Sequence, residues 1–188
     1  MTTRVRLTYE DYAALPDDGR RYELYEGELS VTPAQGVDHH ETLAKLFVIL
    51  WGHVKAGGLG ELLFAPVDSI LENITVVQPD IVFVATTHLS VVSERGIEGP
   101  PTLAVEVISP STASIDRRRK LQLYARYAVP GYWIVDPPAK TIEAYQLAQG
   151  RYRDAGTLSG TTRTSLPPFS DLILDPREIW PGESPARQ

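Results

Sequence analysis

Apolar and polar positions along the chain follow two periods. In VDHHETLAKLFVILWGHVKAGG, Leu43, Leu46, Phe47 and Leu50 recur every three or four residues, the spacing of one helical face, with Asp38 as a candidate cap and Gly57 and Gly58 as the stop. A shorter helix is predicted in TYEDYAALP, where Thr8 is placed to cap and Pro16 lies just past the end. A third is expected from about Ile115 to Ala128, stopped by Val129 and Pro130. Elsewhere the period is two, or the run is apolar throughout. RRYELYEGELSVT alternates about Glu26 and Gly27, which predicts a hairpin pairing Tyr25 with Glu28 and Glu23 with Ser30. Glu23 and Glu28 then lie diagonally on one face, where two like charges repel unless a positive group approaches. GELLFAPVDSIL and TVVQPDIVFVA, separated by Glu72 and Asn73, predict a second hairpin. LAVEVIS, YWIVD and TIEAYQL read as further strands and RYRDAGTLSG as a peripheral strand and turn. The central runs are almost continuously apolar, so the expected fold is a layered α/β arrangement whose central strands are covered on both faces.

The gross properties narrow this picture. A chain of 188 residues suits one domain with a substantial core, expected over residues 1–181, with 182–188 as a frayed tail. The apolar fraction of 43% and charged fraction of 22% are those of a globular protein. No apolar run is long enough to span a bilayer and MTTRVRLTYE has no secretory h-region, so a cytoplasmic location is expected. The absence of cysteine excludes disulfides, thiolate zinc sites and cysteine nucleophiles. A net charge of -6 argues against a broadly basic surface that coats nucleic acid and leaves room for a local basic groove.

Inside the apolar runs two acids stand out. Asp80 interrupts VVQPDIVFV and Glu106 interrupts LAVEVIS. An ionised carboxylate in a dry interior needs a charged partner, a set of donors or a metal ion. Pro79 gives no N–H to a ladder, so Asp80 sits where the sheet is already irregular and two carboxylates from neighbouring strands are able to converge. Such oxygen ligands suit magnesium, which is held by one or two carboxylates with waters and substrate phosphate. The plainer alternative is that each acid caps a turn or pairs with an arginine.

Pro79-Asp80, followed 26 residues later by Glu106 in an apolar strand leading to a helix, resembles the PD-(D/E)XK superfamily of restriction-endonuclease-like nucleases. More closely, RYELYEGEL, His40, QPDIVFV, AVEVISPST, Asp116 with Lys120, and YWIVDP resemble the bacterial Uma-two family of restriction endonucleases, over roughly residues 5 to 180. The resemblance implies a restriction-endonuclease-like α/β core with a mixed central sheet flanked by helices. It also implies a magnesium-dependent site, with manganese as a substitute, that cleaves phosphodiester bonds of nucleic acid, DNA in the first place. A symmetric homodimer is the assembly it suggests, for cutting two strands.

One position departs from the superfamily pattern. Lysine is usual two residues after the second acid, and here that position is Ile108. The following helix carries Asp116, Lys120, Tyr124 and Tyr127 in a single stripe, from which Lys120 can reach over the strand end. Relocation of the lysine to this helix is also what the Uma-two resemblance implies. The candidate site is therefore Asp80 and Glu106 as metal ligands and catalytic acids, with Lys120 holding a water or the scissile phosphate. Glu28, and behind it Glu23, are candidates for an additional acid from the N-terminal hairpin, with a solvated hairpin face as the alternative. His40, near the start of the long helix, is a candidate contact to phosphate or a metal-bound water, set against a helix-capping or core role. His39, His53 and His88 show no ligand spacing.

Weaker signals are read structurally. Arg117, Arg118, Arg119 and Lys120 point around a helix rather than along one side. Ser109, Ser111 and Thr112 are loop and cap residues with no Gly-x-Ser-x-Gly elbow, and Tyr132 and Trp133 belong to the core. Two other functions stay open: a nuclease-fold module that binds nucleic acid or protein without cleaving, and a glycosidase using Asp80 and Glu106 as acid and base. Lys120 separates the nuclease from the glycosidase, since only the former needs it.

Overall fold

The computed structural model describes residues 5–109 and 115–182, the side chains of residues 115 and 116 excepted. Ser111, Thr112, the Asp116 side chain and the expected tail from 183 onward lie outside the described parts. Helix α1, Tyr9–Ala13, starts in a capping box in which the Thr8 hydroxyl accepts from the Asp11 N–H while the Asp11 carboxylate accepts from the Thr8 N–H. Strands β1 (Arg21–Tyr25) and β2 (Glu28–Thr32) form the expected hairpin with Tyr25 opposite Glu28 and Glu23 opposite Ser30. Glu26 and Gly27 both have positive φ, 51° and 89°, as a two-residue type I′ turn requires. Helix α2 spans Val37–Gly57 and stops at Gly58 in the left-handed region, φ 58°. Its cap is Gly36 rather than the expected Asp38, which sits inside the first turn, where its charge favours the helix dipole instead.

The second expected hairpin forms about Glu72 and Asn73 between the inner parts of the two runs, while their outer parts cross to another sheet. Strand β3 (Gly60–Phe64) pairs with β6 (Ile81–Ala85), whereas β4 (Ser69–Glu72) and β5 (Thr75–Val77) pair around Asn73 in the other sheet. Pro66 and Pro79 lie in the crossings between the sheets, where a missing N–H breaks no ladder. After a 3-10 turn come β7 (Val92–Ser93), β8 (Gly96–Glu98) and the central β9 (Leu103–Val107). The third predicted helix is a π-type turn at Ile115–Lys120 that tightens into α3, Leu121–Arg126. Strands β10 (Gly131–Asp136), β11 (Thr141–Ala148) and β12 (Arg151–Leu158) follow in meander order. A small hairpin of β13 (Thr164–Leu166) and β14 (Phe169–Leu174), then α4 (Pro176–Ile179), complete the described chain.

One sheet has the order β2-β1-β5-β4-β8-β7 and the other β12-β11-β10-β9-β6-β3. In the second, β9 and β10 run parallel and the remaining pairs antiparallel, so the sheet is mixed. Its inner strands are covered on both faces. Leu103, Val105, Val107, Trp133 and Val135 pack toward Leu46, Leu50 and Val54 of α2. On the opposite face Ala104, Ile108, Tyr132 and Ile134 pack against Leu123 and Tyr124 of α3 and against Tyr25 and Val77 of the other sheet. Glu106 alternates with Val105 and Val107 and so belongs to this second face.

Helix α2 carries much of the first face, which gives a direct test. Leu50 is fully buried and Val48 is 67% exposed. Leu50→Ala is expected to cost about 2–5 kcal/mol, while Val48→Ala stays within about 0.5 kcal/mol, measured by urea unfolding.

Candidate functional site

Strands β1, β6 and β9, the π-type turn before α3, and helix α2 deliver the site's side chains to one place. The β6–β9 register sets Phe83 opposite Leu103, Val82 opposite Ala104 and Ile81 opposite Val105, and one further step brings Asp80 opposite Glu106. On β1, alternation carries Arg21, Glu23 and Tyr25 to the same face. Lys120 comes from the end of the π-type turn, and Tyr124, one helical turn on, faces the same way. Glu23, Asp80, Glu106 and Lys120 are each buried, as is His39 of α2.

The contacts form two linked groups. In the first, the Lys120 ammonium lies 2.8 Å from Glu106 Oε1 and 3.2 Å from Glu23 Oε1. Tyr124 donates to the same Glu106 oxygen at 2.7 Å. Glu23 also accepts from the Gln78 backbone N–H at 2.9 Å, the Tyr25 hydroxyl at 2.8 Å and the Thr32 hydroxyl at 3.3 Å. Burial pushes the Glu23 carboxyl up, but Lys120, Arg21 and these donors bring it below the ordinary carboxylate range. Burial raises the Tyr25 hydroxyl, and Glu23, which accepts its hydrogen bond, raises it further against the lowering effect of Lys120. In the second group Asp80 Oδ1 accepts from Arg21 Nη1 at 3.1 Å, while Oδ2 faces His39 Nε2 at 3.2 Å and accepts from the Val107 N–H at 2.8 Å. Burial raises the Asp80 carboxyl, and the His39 and Arg21 contacts outweigh it, to about 2. Arg21 links the groups: burial lowers its pKa, but Asp80, Glu23 and Glu106 together lift it above the usual arginine value.

Among the described residues the hydrogen-bonded network thus sets three carboxylates, Glu23, Asp80 and Glu106, against two permanent cations, Arg21 and Lys120. No group of three or more His, Asp or Glu side chains among the described residues is arranged to hold a metal ion. From the described residues, a cation taken up here would draw on a pair of carboxylates, a mode that magnesium adopts when water and phosphate supply its other ligands.

The remaining candidates are spread out. Glu28 is exposed on the hairpin and bonded to Arg119 at 3.2 Å, and Arg119 also stacks over the Tyr25 ring. The positive groups that offset the two hairpin acids are therefore Lys120 for Glu23 and Arg119 for Glu28. Arg117 turns away to Asp136 and Glu143. His40 is exposed beside His39, their rings 5.4 Å apart. Tyr132 and Trp133 are fully buried. Sequence reasoning placed Tyr124 in the Lys120 stripe without a role and gave Arg21 and His39 none, yet Arg21 shares strand parity with Glu23 and His39 shares the buried phase of Thr42, Leu46 and Leu50.

A cleft of about 1520 Å³ opens beside this network, between the N-terminal segment, the β1–β2 hairpin and α2, with Asp80, Arg21 and His39 in its wall. Lys120 and Glu106, both buried, do not line it. Lys120→Ala would leave two buried carboxylates without their shared ammonium and is expected to destabilise the protein by about 3–5 kcal/mol. Adding Glu106→Gln to it should recover part of the loss, because one of the two uncompensated charges is removed. Urea unfolding of the single and double variants, compared in a mutant cycle, measures this.

The family model described as "Putative restriction endonuclease" (Uma2) matches residues 9–177. Among solved structures, one described as a "putative nuclease belonging to DUF820" from Anabaena variabilis superposes with a TM-score of 0.74 at 17% sequence identity, covering 92% of this chain and 97% of that one. No curated protein matches the chain.

Proposed function

The chain belongs to the Uma2 family and has a restriction-endonuclease-like fold, and on that premise we propose that it is a magnesium-dependent nuclease hydrolysing phosphodiester bonds of nucleic acid, with DNA as the first substrate to test. The observation that carries this reading is the opposition of Asp80 and Glu106 at adjoining strand ends with an ammonium brought in from another element. The donor set fits a hard divalent ion. It is all oxygen, it comes from two strands in register, and among the described residues its hydrogen-bonded network holds three carboxylates to two permanent cations. Manganese, with the same ligand preference, is expected to substitute.

A bound ion would polarise a phosphoryl oxygen and acidify a coordinated water. The protein's residues then have distinct tasks. Lys120, held between Glu23 and Glu106, orients the attacking water or the scissile phosphate and offsets charge developing on it. It supplies from the π-type turn before α3 what Ile108, buried in the apolar face, does not. Tyr124 and Glu23 fix Glu106 and Lys120 in place. Arg21 and His40 both line the cleft, and in this reading Arg21 meets a phosphate oxygen and His40 the strand beyond it. The N-terminal acid of this reading is Glu23, since Glu28 is engaged with Arg119 at the surface. The glycosidase reading falls behind because it leaves Lys120 idle. A homodimer would present one such site to each strand of a duplex.

Cleavage of single- and double-stranded DNA and of RNA, with magnesium or manganese, tests the proposal. Wild-type protein is expected to cut and to melt at a higher temperature when either metal is added, by the stabilisation that binding to the folded state confers. Asp80→Asn and Glu106→Gln should each abolish cutting with the circular dichroism spectrum unchanged. Inactivity of the wild type on every substrate, with melting indifferent to metal, would leave a nuclease-fold binding module instead.

A further inference from the structure

Buried polar atoms in folded proteins almost always find a partner, so a group of unpaired ones in one place calls for a reason. Seven buried side-chain atoms lack a hydrogen-bond partner among the described residues, and four of them, Arg21 Nε, Gln35 Oε1, His39 Nδ1 and Gln78 Oε1, belong to residues lining the cleft beside Asp80. The rest of the lining is largely apolar. Phe64, at the end of β3, is 57% exposed and packs edge-on against Phe47 of α2, ring centroids 4.8 Å apart. Val31 and Val48, both exposed, flank the same space. Apolar walls interrupted by a few polar side chains whose hydrogen bonding is incomplete suit a flat heterocycle that carries donors and acceptors on its edge.

Charge points the same way. Duplex binding draws its affinity from many phosphate contacts to lysine and arginine. The cleft offers Arg20 and Arg21 against Asp17, Asp68 and Asp80, on a chain of net charge -6. Base stacking, which needs little positive charge, is the stronger source of affinity available there.

We propose that this cleft captures an unpaired nucleotide next to the bond to be cut, its base against Phe64 and its edge read by Gln35, Gln78, His39 and Arg21. The substrate class is then nucleic acid with unpaired nucleotides, namely single strands, flaps, or duplex from which a base is turned out. This rests on the nuclease reading for the cut itself. The base site is a binding property and is measured without cleavage.

The experiment is fluorescence anisotropy in EDTA with the wild-type protein and a labelled single-stranded DNA oligonucleotide, the blunt duplex of the same sequence, and the matching single-stranded RNA. The single strand is expected to bind more tightly than the duplex. Phe64→Ala should weaken single-strand binding roughly tenfold, and Gln35→Ala by a smaller factor. Trp51→Ala, which removes a comparably exposed aromatic of α2 outside the cleft, should leave it unchanged. RNA bound within a few-fold of DNA would support reading of the base over the sugar. Equal affinity for blunt duplex and single strand, or indifference to Phe64→Ala, would overturn the proposal. So would sedimentation showing a dimer that Phe64→Ala splits while oligonucleotide binding persists, since the cleft would then be a subunit interface. A wild type that cleaves nothing yet binds single strands through Phe64 removes the nuclease reading alone. One that cuts duplex with no single-strand preference removes the base site alone.

Discussion

Lys120 places one ammonium between Glu23 of β1 and Glu106 of β9, and the cost of leaving either carboxylate unpaired between the sheets constrains much of the surrounding structure. Coulomb attraction at such depth is strong, but so is the penalty for removing ions from water, and the balance is favourable only where geometry and extra donors are in place. Here they are. Tyr124, Tyr25, Thr32 and the Gln78 N–H each donate to one of the two acids. The β1–β2 hairpin, the crossing into β6, strand β9 and helix α3 are thereby tied to a common point, although they are distant in the chain.

The second group, built on Asp80, differs in one respect: it borders a cleft. Its partners Arg21 and His39 stand in the cleft wall, while Lys120 and Glu106 do not line the cleft. In the proposed reading a metal ion and phosphate entering by the cleft would compete with Arg21 for Asp80. In the proposed mechanism the arginine therefore serves two states, neutralising Asp80 in the free protein and meeting phosphate in the complex. The same wall carries unpaired polar atoms and leads to the exposed Phe64, so chemistry and base recognition would share residues rather than occupy separate sites.

Local pattern was a sound guide wherever a short range of sequence decides the outcome. The hairpin turn follows from Glu26-Gly27, since a type I′ turn demands positive φ at both positions, and the long helix follows from its apolar spacing and glycine stop. The anomaly of Asp80 and Glu106 was legible for a related reason: charge inside an apolar strand is costly whatever the fold, so it signals a partner before the partner is known. The family resemblance carried by these motifs, and the mixed α/β fold it implies, agree with the family match over residues 9–177 and with the solved nuclease-like neighbour.

Tertiary structure decided what long-range pairing controls. Whether β3 continued into β4 or crossed to another sheet depended on which strand offered free hydrogen-bonding groups, and β6 and β5 lie in different sheets. The choice between Glu23 and Glu28 turned on where α3 docks, because the two acids share a face of the hairpin and only the approach of Lys120 and Arg119 separates a buried carboxylate from an exposed one. His39 and His40, adjacent in sequence, likewise diverge through a helical rotation of about 100° that becomes decisive only once α2 is laid on the sheet. Sequence alone determined which side chains needed partners. The packing of distant elements determined which partners they met, since that is set by geometry that no local pattern contains.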